Sequence, residues 1–151
     1  MRSIEKYGKK SLDNFTAGYN CCQSVLLAFS DELGMDETTL AKLASGFGAG
    51  MGKLREVCGA VSGMFMVASL LKGYDSPTAK TEKVETYALI HSLADEFKSR
   101  CGGSIICREL LGLSDDGNVV PSERTKEYYQ KRPCGELCKI AAEIVAEKIL
   151  F

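Results

Sequence analysis

Apolar residues recur along the chain at three- and four-residue spacing, interrupted by glycines and short polar turns, and this period predicts helices throughout. Ser3 to Ala17 carries Ile4, Tyr7, Leu12 and Phe15 on one stripe, with Gly8 weakening it and Gly18 ending it. Asn20 stands where it can cap a second helix with the face Val25, Leu26, Phe29 and Leu33, closed by Gly34. Asp36 caps a third, running through Leu40, Leu43 and Ala44, with Glu37 near its positive end. Gly46, Gly48, Gly50 and Gly52 then fall at every second position, a spacing that suits neither helix nor strand interior and predicts a loop. From about Lys53, the spacing of Leu54, Val57, Val61, Phe65 and Ala68 predicts a central, largely buried helix with Cys58 in its first turns.

Lys72-Gly73 ends that helix, and Asp75-Ser76-Pro77 restarts the chain with proline near a helix N-terminus. The longest helix is expected over about 78–98, striped by Val84, Tyr87, Leu89 or Ile90, Ala94 and Phe97. Cys101-Gly102-Gly103-Ser104 is a turn, with Ser104 capping a short helix that contains Cys107 and ends at Gly112. Residues 113–123 read as a surface loop, 123–130 as a helical turn or two, and Pro133 as a break. A final amphipathic helix runs over about 135–150 through Leu137, Ile144 and Val145. With no strand pattern and no internal repeat, the expected fold is all-α: one helical domain over 1–151, about six to seven helices with a glycine-rich loop before the central one.

Composition narrows the function. A chain of 151 residues, 45% hydrophobic and 26% charged, can bury one proper core. Its net charge of −1 and lack of a basic block leave no electrostatic footprint for nucleic acid. The longest apolar run, Val57 to Leu71, is too short to span a membrane and holds Gly and Ser. The first ten residues lack the apolar core of a signal peptide, so the expected location is the cytoplasm. Nucleotide loops fail on their residues: Phe47 stands where a P-loop needs its first glycine, and Leu54 where it needs Ser or Thr. GxGxxG fails as well, because Met51 or Lys53 falls on its third glycine.

Seven cysteines, at 21, 22, 58, 101, 107, 134 and 138, change the picture. An odd count in a reducing compartment argues against a disulfide framework and for metal or redox chemistry. Mapped onto the predicted helices, Cys21 and Cys22, Cys58, Cys107 and Cys138 each lie in the opening turns of a different one. Free N–H groups and partial positive charge at a helix start favour the thiolate and lower its pKa. The bland alternative is that the thiols are small core hydrophobes, since free cysteine is among the most buried residue types. Cys134 and Cys138 form a CxxxC on one helix face, but no CxxC, CxxCH or ferredoxin run is present. His91 reads as a histidine without catalytic duty, and Arg108 as either support for the adjacent Cys107 thiolate or a surface ion pair. Which of Cys21 and Cys22 faces a site stays open.

GYNCCQSVLLAF, LASGFGAGMGKLREVCGAVSGMFMV, GSIICRELLG and a late cysteine followed by KIAAEIV together resemble the C-GCAxxG-C-C family of redox-active proteins. The resemblance covers nearly the whole chain after the first helix. It implies redox activity, with the named cysteines falling on Cys21, on Cys58 with Gly59, Ala60 and Gly63, on Cys107 and on Cys138. Gly59 and Gly63 are then the candidate cofactor-binding positions, and Cys22, Cys101 and Cys134 are extras. No substrate or electron partner is implied.

Three functions remain open at this point. In the first, Cys58 attacks and Cys21 or Cys107 resolves in thiol–disulfide exchange, or Cys21, Cys58, Cys107 and Cys138 ligate an iron–sulfur cluster. The second is a protein with structural zinc and no turnover. The third is a helical interaction module, for instance a homodimer through the central helix, with inert thiols.

Overall fold

The computed structural model describes residues 3–151, leaving the first two residues of the expected 1–151 domain outside it, and it is all-α with one core. Local signals set the early elements. Helix α1 (Ser3–Ala17) ends at Gly18, and α2 (Cys21–Leu27) starts at a complete capping box. Asn20 accepts from the Gln23 N–H at 2.9 Å while Gln23 Oε1 accepts from the Asn20 N–H at 3.0 Å. The expected second helix is cut at Phe29, whose φ of −111° and ψ of 16° end α2, and α3 (Ser30–Leu33) resumes before a left-handed Gly34. Phe29 is wholly buried and its ring stacks on Tyr7 at 4.7 Å, so packing onto α1 accompanies the break. Asp36 caps α4 (Glu37–Ala44) through the Thr39 N–H at 2.8 Å. Leu40 and Ala44 are buried, but Leu43, expected on that face, is exposed.

The central helix α5 spans Gly59–Lys72, six residues later than its apolar spacing suggests. Leu54 is exposed, and Val57 is held in an isolated antiparallel bridge with Ile106. Two hydrogen bonds flank that bridge, Cys58 N–H to Ile105 O at 2.8 Å and Cys107 N–H to Glu56 O at 2.6 Å. Helix α6 (Thr81–Arg100) begins after a turn that contains Pro77. Its first half projects outward, leaving Val84 and Tyr87 exposed, and only Thr86, Leu93 and Phe97 are buried. Then come α7 (Cys107–Leu111), an irregular surface segment, α8 (Lys126–Lys131) and α9 (Cys134–Val145), the last extended by a wider π turn over Ala146–Leu150.

Helices α1, α2, α5 and α9 enclose the core, and α6 covers one side of α5 and α9. Close approach is made by small residues. A Cβ on Gly8 would stand 2.6 Å from Glu143 of α9, and one on Gly63 would stand 2.9 Å from both the Cys22 carbonyl and Val25 of α2. Ser11, wholly buried, donates to the Cys138 carbonyl at 3.0 Å and fixes α1 against α9. No helix of the described residues is long and apolar enough to cross a membrane.

Candidate functional site

The glycine-rich segment folds as a left-handed turn. Ala49, Gly50, Met51, Gly52 and Lys53 all have φ between 55° and 70°, and the Gly52 N–H closes on the Gly48 carbonyl at 2.8 Å. Arg55 follows at φ 60°. Each non-glycine residue in this region costs about 1–2 kcal/mol, so tertiary contacts must hold the turn. They do so on both sides. The Glu56 N–H bonds to Gly50 O at 3.0 Å, and Lys53 Nζ to the Val120 carbonyl at 2.7 Å. Gly50 leaves no room for a side chain, since a Cβ there would lie 2.6 Å from Cys107 Cβ and 2.8 Å from Arg55 Cα.

Around this turn, helix starts from distant parts of the sequence converge. Cys21 is the first residue of α2, Cys58 the N-cap of α5, Cys107 the first residue of α7 and Cys134 the first residue of α9. The antiparallel Val57–Ile106 bridge places Cys58 opposite Ile105 and Cys107 opposite Glu56, so the two cysteines lie diagonally across it, both on the face opposite Val57 and Ile106. Gly59 lets α2 come in close, for a Cβ there would stand 3.0 Å from Cys21 Cβ. The four thiols line one cavity of about 260 Å³. Cys138, a turn beyond Cys134, reaches the Cys21 carbonyl with its thiol at 3.7 Å, and the thiols of Cys134 and Cys138 both interact with that of Cys21. Cys22 turns the other way, into the core, with its sulfur 3.7 Å from Met66 Sδ. Cys101 lies outside the cavity, as does Gly63, which serves the α2–α5 contact. Gly59 lines it.

Every one of these thiols titrates above its ordinary value, contrary to the lowering that the helix starts suggest. Burial pushes Cys58 up to about 12, although the Ala60 and Val61 N–H groups at the start of α5 pull it down. Cys134 is raised by its interaction with Cys21 and then by burial, while the Tyr128 hydroxyl opposes both. At Cys21, interaction with Cys134 lowers the pKa, but Cys138, burial and Cys58 together hold it well up. Burial raises Cys138 and Cys107 as well, and it takes Cys22 to about 12. Desolvation of a thiolate therefore outweighs the helix N-termini. Among the described residues, Cys107 alone has a cation hydrogen-bonded to its sulfur: Arg55 Nη1 donates to Sγ at 3.7 Å and draws the pKa back down.

Arg55 is the site residue that sequence reasoning missed. It is 6% exposed and lines the cavity, yet nothing in LREVC distinguishes it from a surface arginine. Arg108, the expected neighbour of the Cys107 thiolate, instead pairs with Glu56 at 3.0 Å and donates to the Arg55 carbonyl at 3.3 Å. Lys53, Arg124 and Arg132 also line the cavity, and no aspartate or glutamate does. Tyr128 closes one wall, with the Arg132 guanidinium 5.0 Å from its ring. Tyr128 is thus half-buried in the site.

Among the described residues, no group of three or more His, Cys, Asp or Glu side chains is arranged to hold a metal ion. The expected iron–sulfur set of Cys21, Cys58, Cys107 and Cys138, and likewise a structural zinc, is not preformed by these side chains. Their donor chemistry suits either metal; their positions do not.

The family model described as "Putative redox-active protein (C_GCAxxG_C_C)" matches residues 19–148, a span that contains all seven cysteines and the left-handed turn. The chain belongs to this family. A protein of Archaeoglobus fulgidus, described as uncharacterized, is 25% identical over 155 residues, covering 99% of this chain and 97% of that one. No solved structure matches the chain.

Proposed function

We propose that the protein carries out thiol–disulfide exchange in the cavity, with Cys107 as attacking thiol and Cys58 as resolving thiol. The observation that carries this reading is the Arg55 contact. Of the cavity thiols, Cys107 is the one with a guanidinium on its sulfur, which favours the thiolate that attack requires. The sequence suggests Cys58 as the attacker, but its deep burial and pKa near 12 suit a second step better.

In the forward direction, the Cys107 thiolate attacks one sulfur of a substrate disulfide, forming a mixed disulfide and releasing the other half as a thiolate that takes up a proton. Cys58, losing its proton, attacks the Cys107 sulfur, forms the Cys58–Cys107 bond and releases the second substrate thiol. Two electrons pass from the protein dithiol to the substrate. The Cys21, Cys134 and Cys138 group lies beside Cys58 and offers further thiols for transfer onward. Trapping tests the assignment. Cys58→Ser should accumulate a mixed disulfide at Cys107 when the reduced protein meets a small aromatic disulfide, whereas Cys107→Ser should accumulate none. Trapping at Cys58 in the Cys107→Ser protein would reverse the roles.

A further inference from the structure

We infer that the cavity is an anion site, taking a small ligand with an oxyanion group such as a carboxylate or phosphate beside Cys107. The cavity is lined by Lys53, Arg55, Arg124 and Arg132 and by no carboxylate, in a chain whose net charge is −1. Among the described residues these four cations form no ion pair. Three of them are tied to neutral oxygens: Lys53 to the Val120 carbonyl, Arg124 to the Phe15 and Tyr19 carbonyls, and Arg132 to the Ser122 hydroxyl at 3.4 Å. They hold positive charge around the cavity with none of it neutralised by the protein.

Arg55 is different in kind. It is more than nine-tenths buried, and the one hydrogen bond its side chain makes to the described residues is the long contact from Nη1 to Cys107 Sγ. Nε and Nη2 donate to no acceptor among the described residues, and neither is sealed off from solvent, so both stay open to a ligand in the cavity that Arg55 lines. A guanidinium offers five N–H donors in a planar fork that matches two oxygens of a carboxylate or phosphate. A bound oxyanion supplies the acceptors that Nε and Nη2 lack within the protein. The backbone that delivers Arg55 is left-handed and pinned, with its carbonyl accepting from both the Arg108 N–H at 3.2 Å and the Arg108 side chain. The fork is therefore set in place before a ligand arrives. An anion gripped there lies next to the Cys107 sulfur. Where exchange is the reaction, as proposed above, the inference assigns the substrate class: a small disulfide with an acidic head group.

The test uses reduced full-length protein and reads alkylation of single cysteines by iodoacetamide, a neutral reagent, with Cys101 outside the cavity as internal reference. At about pH 8.5, where thiolate is populated, inorganic phosphate should slow alkylation of Cys107 saturably, by about tenfold at ten times its dissociation constant. Cys101 should be unaffected, and chloride at matched ionic strength should protect neither. In Arg55→Met the ratio of Cys107 rates with and without phosphate should return to one. Arg55→Lys, which keeps the charge and loses the fork, should fall between. A second arm compares oxidation by 3,3′-dithiodipropionate with that by neutral 2-hydroxyethyl disulfide. Preference for the acidic disulfide, abolished by phosphate, identifies the head group of a substrate as the ligand, and protection by phosphate without preference identifies a free oxyanion. Wild-type protein that shows neither protection nor preference overturns the anion site, even if both disulfides oxidise it and exchange stands. Protection without any disulfide formation retains the anion site and removes exchange.

Discussion

At the scale of single residues, the chemistry is decided by competition between desolvation and local charge. Cys58 has an ordinary pKa of 9.0 and is pushed up to about 12 in the folded protein. The native state therefore holds a proton that the unfolded chain releases, and stability must fall as pH rises from about 9 toward about 12, by about 1.4 kcal/mol per pH unit for each such thiol. Urea unfolding of the reduced protein at a series of alkaline pH values should show this decline, and Cys58→Ser should make it shallower. Exchange should likewise quicken with pH up to the alkaline range instead of levelling near neutrality, since little thiolate is present at pH 7. Arg55→Met should slow the attack of Cys107 several-fold at pH 8, because the cation that favours its thiolate is lost. A stopped-flow measurement with a chromogenic disulfide checks it.

At the scale of elements, the placement of each thiol depends on how its helix begins. The capping box of α2 sets Cys21 at the first helical position, and the Asn20 side chain also donates to the Ser45 carbonyl at 3.1 Å, tying that helix start to the glycine-rich segment. Asn20→Ala should cost about 1 kcal/mol in urea unfolding, the ordinary loss of a cap. Two glycines of the segment make a sharper contrast. Gly50 has φ 70° and no space for a Cβ, so Gly50→Ala should destabilise by about 3 kcal/mol or abolish folding. Gly46 has open space and an ordinary φ, so Gly46→Ala should stay within about 0.5 kcal/mol.

How much of this was legible in the sequence follows the same division. Asn20, Asp36, Gly34 and Gly112 mark helix ends through contacts within a few residues, and the fold bears each of them out. Leu54 and Val57 mimic a helical period, yet the segment is pulled out of helix by the bridge to Ile106, a partner far along the chain. Glycines at alternate positions signal unusual backbone, but they do not say that Ala49, Met51 and Lys53 share the left-handed region. The last helix opens on Cys134, which the spacing left as an extra, and carries Cys138, expected in its opening turns, one turn further in. The direction of the cysteines' pKa shifts was not legible, because desolvation depends on what the whole chain packs around each sulfur. Arg55 was invisible for the same reason: its role exists only once Cys107 arrives beside it.

At the scale of the molecule, α1, α2, α5 and α9 form a frame whose core serves to hold several helix starts at one cavity, and the family match over residues 19–148 takes in α2, α5 and α9 but not α1. Because the core closes on apolar side chains from most of the helices, incubation with a strong chelator should leave the far-UV circular dichroism and urea midpoint unchanged. A metal-dependent fold would lose both. The central claim is that thiols far apart in sequence meet and exchange in one place. It is tested most directly by oxidising the reduced protein with one equivalent of a small disulfide, blocking free thiols, and mapping the linked peptides by mass spectrometry. The account predicts a Cys58–Cys107 link as the dominant product, with Cys22 and Cys101 recovered as free thiols. Recovery of Cys58 and Cys107 both free and unlinked, with oxidation confined to Cys101 or to links between molecules, would contradict it.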